Sequence, residues 1–119
     1  MQTYLTLNYS RVSRSQLAHY LQRTGWLCFG QTGAFTEDAL ACIRSRECTL
    51  VFLRLSAPDE DVPEPFLAAL RQHPAVIVTS PYPAHLFSYL NLHPFDFLTE
   101  PYSFDRFAMS MERYVAVFG

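Results

Sequence analysis

Two stretches of this chain are apolar at nearly every position, residues 49–55 and 75–79, and strands of that kind are stable only when both faces of their sheet are covered. A half-solvated antiparallel sheet would alternate apolar and polar residues instead. The covering elements are present between the strands. Leu17, Tyr20 and Leu21 recur at helical spacing after the cap candidates of residues 10–15, and Gly25 stops the run. Thr36, Glu37 and Asp38 open a second helix through Ala39, Leu40 and Ile43, and residues 66–72 form a short third. Residues 84–90 resume helical spacing beyond Ser80-Pro81-Tyr82-Pro83, which cannot continue a central strand. Ser103 caps a last helix with a stripe of Phe104, Phe107, Met111, Tyr114 and Val115.

Three further strands complete the alternation: Tyr4-Leu5-Thr6-Leu7, Trp26-Leu27-Cys28-Phe29 closed by Gly30 and Gly33, and Phe95-Asp96-Phe97-Leu98-Thr99. Five strands alternating with five helices predict a single doubly wound α/β domain over residues 1–119. Its parallel sheet has the order 2-1-3-4-5 and helices on both faces. A chain of 119 residues that is half apolar suffices for one such core. Any site in a sheet of this type lies at the C-terminal strand ends, just past Leu7, Leu53, Thr79 and Thr99.

Charge narrows the chemistry. All nine basic residues are Arg, so reactions that need a lysine are excluded, and a net charge of -2 argues against direct nucleic-acid contact. Cys28, Cys42 and Cys48 lack C-x-x-C spacing and are expected as small buried hydrophobes. With no basic-then-apolar leader and no apolar run near the roughly 18 residues that cross a bilayer, the expectation is a cytoplasmic protein without membrane contact. His19, His73, His85 and His93 show no ligand spacing, so no metal site is expected. Gly30-Gln31-Thr32-Gly33 is too short for a dinucleotide fingerprint.

The segment Leu92-His93-Pro94-Phe95-Asp96-Phe97-Leu98-Thr99-Glu100-Pro101-Tyr102-Ser103-Phe104-Asp105-Arg106-Phe107 resembles the last strand and following turn of response-regulator receiver domains, especially those joined to LytTR DNA-binding domains. Leu50-Val51-Phe52-Leu53-Arg54-Leu55 with Pro58 resembles that family's third strand and loop, and Val76-Ile77-Val78-Thr79-Ser80-Pro81-Tyr82 its fourth. The resemblance implies a CheY-like, flavodoxin-like fold and a phosphorelay role. It also implies an acidic pair after the first strand and a phosphoacceptor Asp after the third, which together hold Mg²⁺. Those positions carry Asn8, Tyr9 and Arg54, and the family's lysine falls on Glu100. Ser80 is the only catalytic-type match left, and it is read as a turn hydroxyl.

The chain is therefore expected to be a pseudo-receiver without catalysis, cofactor or Mg²⁺. Its role would be a protein-protein interaction or dimerisation module in bacterial signal transduction, with any effector domain outside this sequence. Arg54 and Glu100 are expected to form an ion pair across the former phosphorylation site, and Glu100-Pro101 is a candidate cis bond. The alternative for Arg54 is a partner among Asp59, Glu60 and Asp61, otherwise a solvated loop. The resemblance places the partner surface on the fourth helix, fifth strand and last helix, with Tyr82, His85, Tyr89, Phe97, Tyr102, Arg106 and Arg113 as candidates. Two other functions stay open: a small-anion or small-ligand sensor with Arg54 as counter-charge, and a small enzyme on the same fold.

Overall fold

The computed structural model describes residues 2–26 and 28–119. Five parallel strands, β1 (Gln2–Leu7), β2 (Cys28–Gly33), β3 (Leu50–Arg54), β4 (Val76–Ser80) and β5 (Asp96–Thr99), form one sheet in the order β2-β1-β3-β4-β5. The helices are α1 (Arg11–Thr24), α2 (Glu37–Ser45), α3 (Glu64–Gln72) and α4 (Phe104–Phe118). Ser10, Thr36 and Ser103 cap α1, α2 and α4 by accepting from backbone N–H groups, and Gly25 ends α1 in the left-handed conformation at φ 73°.

The alternation along β3 shows how sequence becomes layers. Leu50 and Phe52 face a cluster with Leu17 and Leu21 of α1 and Phe107, Met111 and Tyr114 of α4. Val51 and Leu53 face the opposite cluster with Ile43 of α2 and Phe66 and Leu70 of α3. Both faces are thus covered, as the unbroken apolar runs require. Arg54 shares its parity with Leu50 and Phe52, and it stands at the strand's C-terminal end beside Thr79 of β4.

Four expectations need correction. The second strand lies over Cys28–Gly33 instead of starting at Trp26, and it includes Gly30 and Gly33. It is an edge strand paired only with β1, so its polar Gln31 and Thr32 are tolerated. Leu27 and the side chain of Cys28 lie outside the described residues. Residues Ala84–Leu90 form a 3₁₀ helix, leaving four α-helices among the described residues. With seven residues after Pro83, the segment buries only Phe87 and Leu90, two anchors three apart that suit the three-residue repeat. Val115 is 42 % exposed, so the buried stripe of α4 is Phe107, Met111 and Tyr114. Finally, Cys42 and Cys48 are buried as expected but are joined as a disulfide. The end of α2 and the following turn bring their Cα atoms to 6.1 Å, a proximity that the C-x5-C spacing does not announce.

Candidate functional site

Four strand ends converge on one place. Just past β1, Asn8 takes a left-handed conformation at φ 66°, which an Asn side chain tolerates better than most, and this turns the chain so that Tyr9 points back over the sheet. The Tyr9 hydroxyl is 2.7 Å from Oγ1 of Thr79 on β4. Burial holds the Tyr9 phenol well above its usual pKa. Tyr102 and then Glu100 push it further, while the Thr79 hydrogen bond and the Arg54 charge offset only part. Tyr9 is therefore a neutral, packed group.

Arg54 and Glu100 meet across this pocket in the expected ion pair. Arg54 Nη2 donates to Glu100 Oε1 at 2.9 Å and Nε donates to Oε2 at 3.2 Å. This is a two-bond fork in which each side chain is 17 % exposed. The hydrogen bonds that Arg54 donates to Glu100 are the main reason its pKa rises, despite partial burial. Glu100 is fixed from behind as well, since its N–H donates to the Ser80 carbonyl at 2.7 Å. The Glu100–Pro101 bond is cis, as anticipated. Ser80 is fully buried, and its hydroxyl accepts from the Tyr82 N–H at 3.1 Å, the turn role read from the sequence.

Sequence reasoning missed the other wall. Asn8 Nδ2 donates to the Arg54 carbonyl at 2.9 Å and to Glu60 Oε1 at 2.6 Å. The same Glu60 oxygen accepts from the Ser56 hydroxyl at 3.1 Å. The Glu60 carbonyl in turn accepts from the exposed Tyr89 hydroxyl at 3.0 Å. Glu60 is thus not part of a solvated acidic face. It straps the β3–α3 loop onto the pocket, and neighbouring Asp59 and Asp61 stay exposed. The only hint in the sequence was the acidic run itself, which does not reveal which acid turns inward.

This donor set does not fit Mg²⁺. A hard dication needs converging oxygens, whereas the pocket offers an amide whose nitrogen faces Arg54 and Glu60, a neutral phenol, and a guanidinium beside the Glu100 carboxylate. Elsewhere, too, no group of three His, Cys, Asp or Glu side chains is placed to hold a metal among the described residues. Nor is any described helix long and apolar enough to cross a membrane.

The candidate partner surface is more mixed. Tyr82 and Tyr89 are 39 % and 55 % exposed, and His85 is exposed beside them. Arg106 and Arg113 both reach Asp96, Arg106 through bonds of 2.8 and 3.0 Å and Arg113 at 3.5 Å. Phe97 packs against Phe87 at 6.1 Å between ring centres. Tyr102 must be removed from this surface. It is 6 % exposed and stacks on Phe107 in the α1/α4 core, because the turn at Pro101 directs its ring beneath α1, where Tyr20 meets it edge-on.

Parallel order 2-1-3-4-5 with a pocket at the C-terminal strand ends defines a receiver-type, CheY-like α/β fold. Solved structures sharing it are receiver domains. The CheY-like response regulator of Mesorhizobium loti superposes with a TM-score of 0.72 at 13 % identity, covering 95 % of this chain and 98 % of its own. The signal receiver domain of a modulated diguanylate cyclase from Desulfovibrio desulfuricans G20 gives 0.70 at 16 % identity, covering 98 % and 94 %. The signal receiver domain of a putative Luxo repressor protein from Vibrio parahaemolyticus gives 0.64 at 23 % identity, covering 99 % and 98 %. No family model matches the sequence, and no curated protein does.

Proposed function

We propose that this chain is a signalling domain of the receiver type that works without aspartyl phosphorylation, as a binding module for a protein partner or a second copy of itself. The observation that carries the reading is the Arg54–Glu100 fork. It stands where the receiver resemblance puts a nucleophilic carboxylate and a lysine. A guanidinium has no lone pair to attack phosphorus at physiological pH, and Glu100 would repel an incoming phosphoryl group. With the chemistry gone, binding is what the fold retains, and the exposed Tyr82, His85, Tyr89 and Arg113, with the partly exposed Arg106, offer the aromatic and Arg content typical of interfaces. The LytTR-type subclass, bacterial origin and cytoplasmic location belong to the same proposal, carried by the sequence of residues 92–107. The anion-sensor alternative is disfavoured because Glu100 already supplies the counter-charge of Arg54.

The test is exposure to acetyl phosphate or beryllofluoride with Mg²⁺, followed by intact mass and amide chemical shifts. No mass gain and no shifts around residues 54 and 80 are expected. A phosphoryl adduct on any carboxylate of the pocket overturns the reading.

A further inference from the structure

The opposite end of the sheet carries a second chemistry that the pocket does not use. Cys42 sits in the last turn of α2 and Cys48 two residues before β3, and their sulfurs are bonded across the turn of residues 45–47. The turn is built to bring them together. Arg46 adopts the left-handed conformation at φ 62° and donates its N–H to the Ile43 carbonyl. The Ser45 hydroxyl donates to the Cys42 carbonyl at 3.3 Å, and the Cys48 carbonyl accepts from Nε2 of buried His73 at 2.8 Å. Both cysteine backbones are thus held by bonds that do not involve sulfur. The two residues differ in exposure: Cys42 retains 8 % at the edge of an exposed turn, and Cys48 retains none.

We infer that Cys42 and Cys48 form a reversible thiol–disulfide site, with Cys42 as the entry thiol and Cys48 as the resolving thiol, for oxidation by small-molecule disulfides of the glutathione class. The Cys42 thiolate attacks one sulfur of the small disulfide, forming a mixed disulfide and expelling one thiolate. The Cys48 thiolate then attacks the Cys42 sulfur, closing the intramolecular bond and expelling the second. Two protein thiols are oxidised by two electrons, one disulfide is reduced to two thiols, and both protons leave with the products. Two features make the site reversible in the folded protein. The ring it closes is short, so it adds less stability than a long-range bridge, and the turn keeps its own hydrogen bonds when the sulfurs part. The site is independent of the pocket reading, because its chemistry involves no strand-end residue.

The folded, reduced protein is treated with oxidised glutathione and analysed by intact mass and peptide mapping, with Cys28 scored separately. A loss of two hydrogens, a cross-linked Cys42–Cys48 peptide and reversal by dithiothreitol without unfolding are expected. The oxidised form should melt several degrees higher, the response of a small domain to a modest unfolded-state constraint. The C48S variant should stop at a glutathione adduct on Cys42, and C42S should form none at Cys48. Wild-type thiols that stay free after glutathione treatment, a bond that native reduction does not open, or modification of Cys48 ahead of Cys42 would each overturn the inference. The wild-type measurements need no variant to fold.

Discussion

Among the described residues two arginine forks hold carboxylates, and they differ in where the burial falls. In the pocket, Arg54 and Glu100 are equally withdrawn from water, each 17 % exposed. At the start of β5, Asp96 is 9 % exposed while Arg106 and Arg113 are 41 % and 57 % exposed. The second arrangement buries one charge and lets its partners remain solvated, which suits an ordinary structural tie. The first desolvates both charges, an investment that a hydrophobic pair of similar volume would match or improve on. Stability alone therefore does not explain the pocket pair. Its consequence is to fill the site with a fixed, neutralised contact.

The largest effect is expected where that contact is half removed. Glu100→Ala leaves the Arg54 guanidinium desolvated without its partner and should cost about 2–4 kcal/mol by urea melt, the buried-pair penalty reduced for residual exposure. The double variant R54M/E100M removes both charges and should recover most of that loss. If E100A proves as stable as the wild type, the pair is no more than a surface contact, and the contrast with the Asp96 site disappears.

Asp96→Asn probes the other fork, with an expected cost of about 1–2 kcal/mol because its arginines keep water as an alternative partner. The pH dependence follows from the direction of its shift. Burial alone would raise the Asp96 pKa, but the hydrogen bonds from Arg106 and the Phe97 N–H outweigh it and hold the carboxyl below the usual range. A depressed folded pKa means that the stabilisation is complete above the unfolded value of about 4 and is lost as pH falls through the folded one. The acid limb of the wild-type stability curve should therefore flatten in D96N. An unchanged limb would show that Asp96 is not what the arginines stabilise.

How far the sequence announced these two sites depends on the kind of evidence each needs. Apolar runs and helical spacing specify a covered parallel sheet and hence its pocket, while Arg54 against Glu100 was expected from the receiver resemblance, which sets an acid and a lysine face to face at those two positions. Side-chain direction within a loop was not legible. Glu60 turning inward while Asp59 and Asp61 stay out depends on the left-handed turn at Asn8, and Tyr102 entering the core depends on the path of the chain after Pro101. The Cys42–Cys48 contact was missed for a related reason, since it arises where a helix end and a turn reverse the chain. The 3₁₀ form of Ala84–Leu90 shares the apolar spacing of a short α-helix, so the pattern alone did not separate them.

Tyr9→Phe offers a sharper reading of the pocket itself. It keeps the ring that packs there and removes one buried hydroxyl pair, leaving Thr79 Oγ1 without its 2.7 Å partner, so a loss of about 1–2 kcal/mol is expected. Tyr9 feels the charges of Arg54 and Glu100 but makes no hydrogen bond to their fork, so with a neutral phenol the effects of Y9F and R54M/E100M should come close to adding. Strong coupling between them would mean that the pocket is a single network.

The smallest expected effect lies at the far end of the sheet. His73 is buried with both ring nitrogens paired, and the partners fix the tautomer: the Cys48 carbonyl can only accept, so Nε2 carries the proton, while Nδ1 accepts from the Ala75 N–H at 3.1 Å. Burial lowers the His73 pKa and nearby Arg46 lowers it further, against the opposing hydrogen bond to Cys48. A depressed histidine favours the folded state above the unfolded value of about 6.5 and gives up that contribution as pH falls through the folded one. Protonation buries a charge beside Arg46 and turns the Nδ1 acceptor into a donor facing the Ala75 N–H, so a loss of about 1 kcal/mol is expected. Imidazole chemical shifts followed from pH 8 to 5 would test it. His73 should still be neutral where an ordinary histidine, with a value of about 6.5, is half protonated, and protonation at that value would mean that the ring is not buried as described.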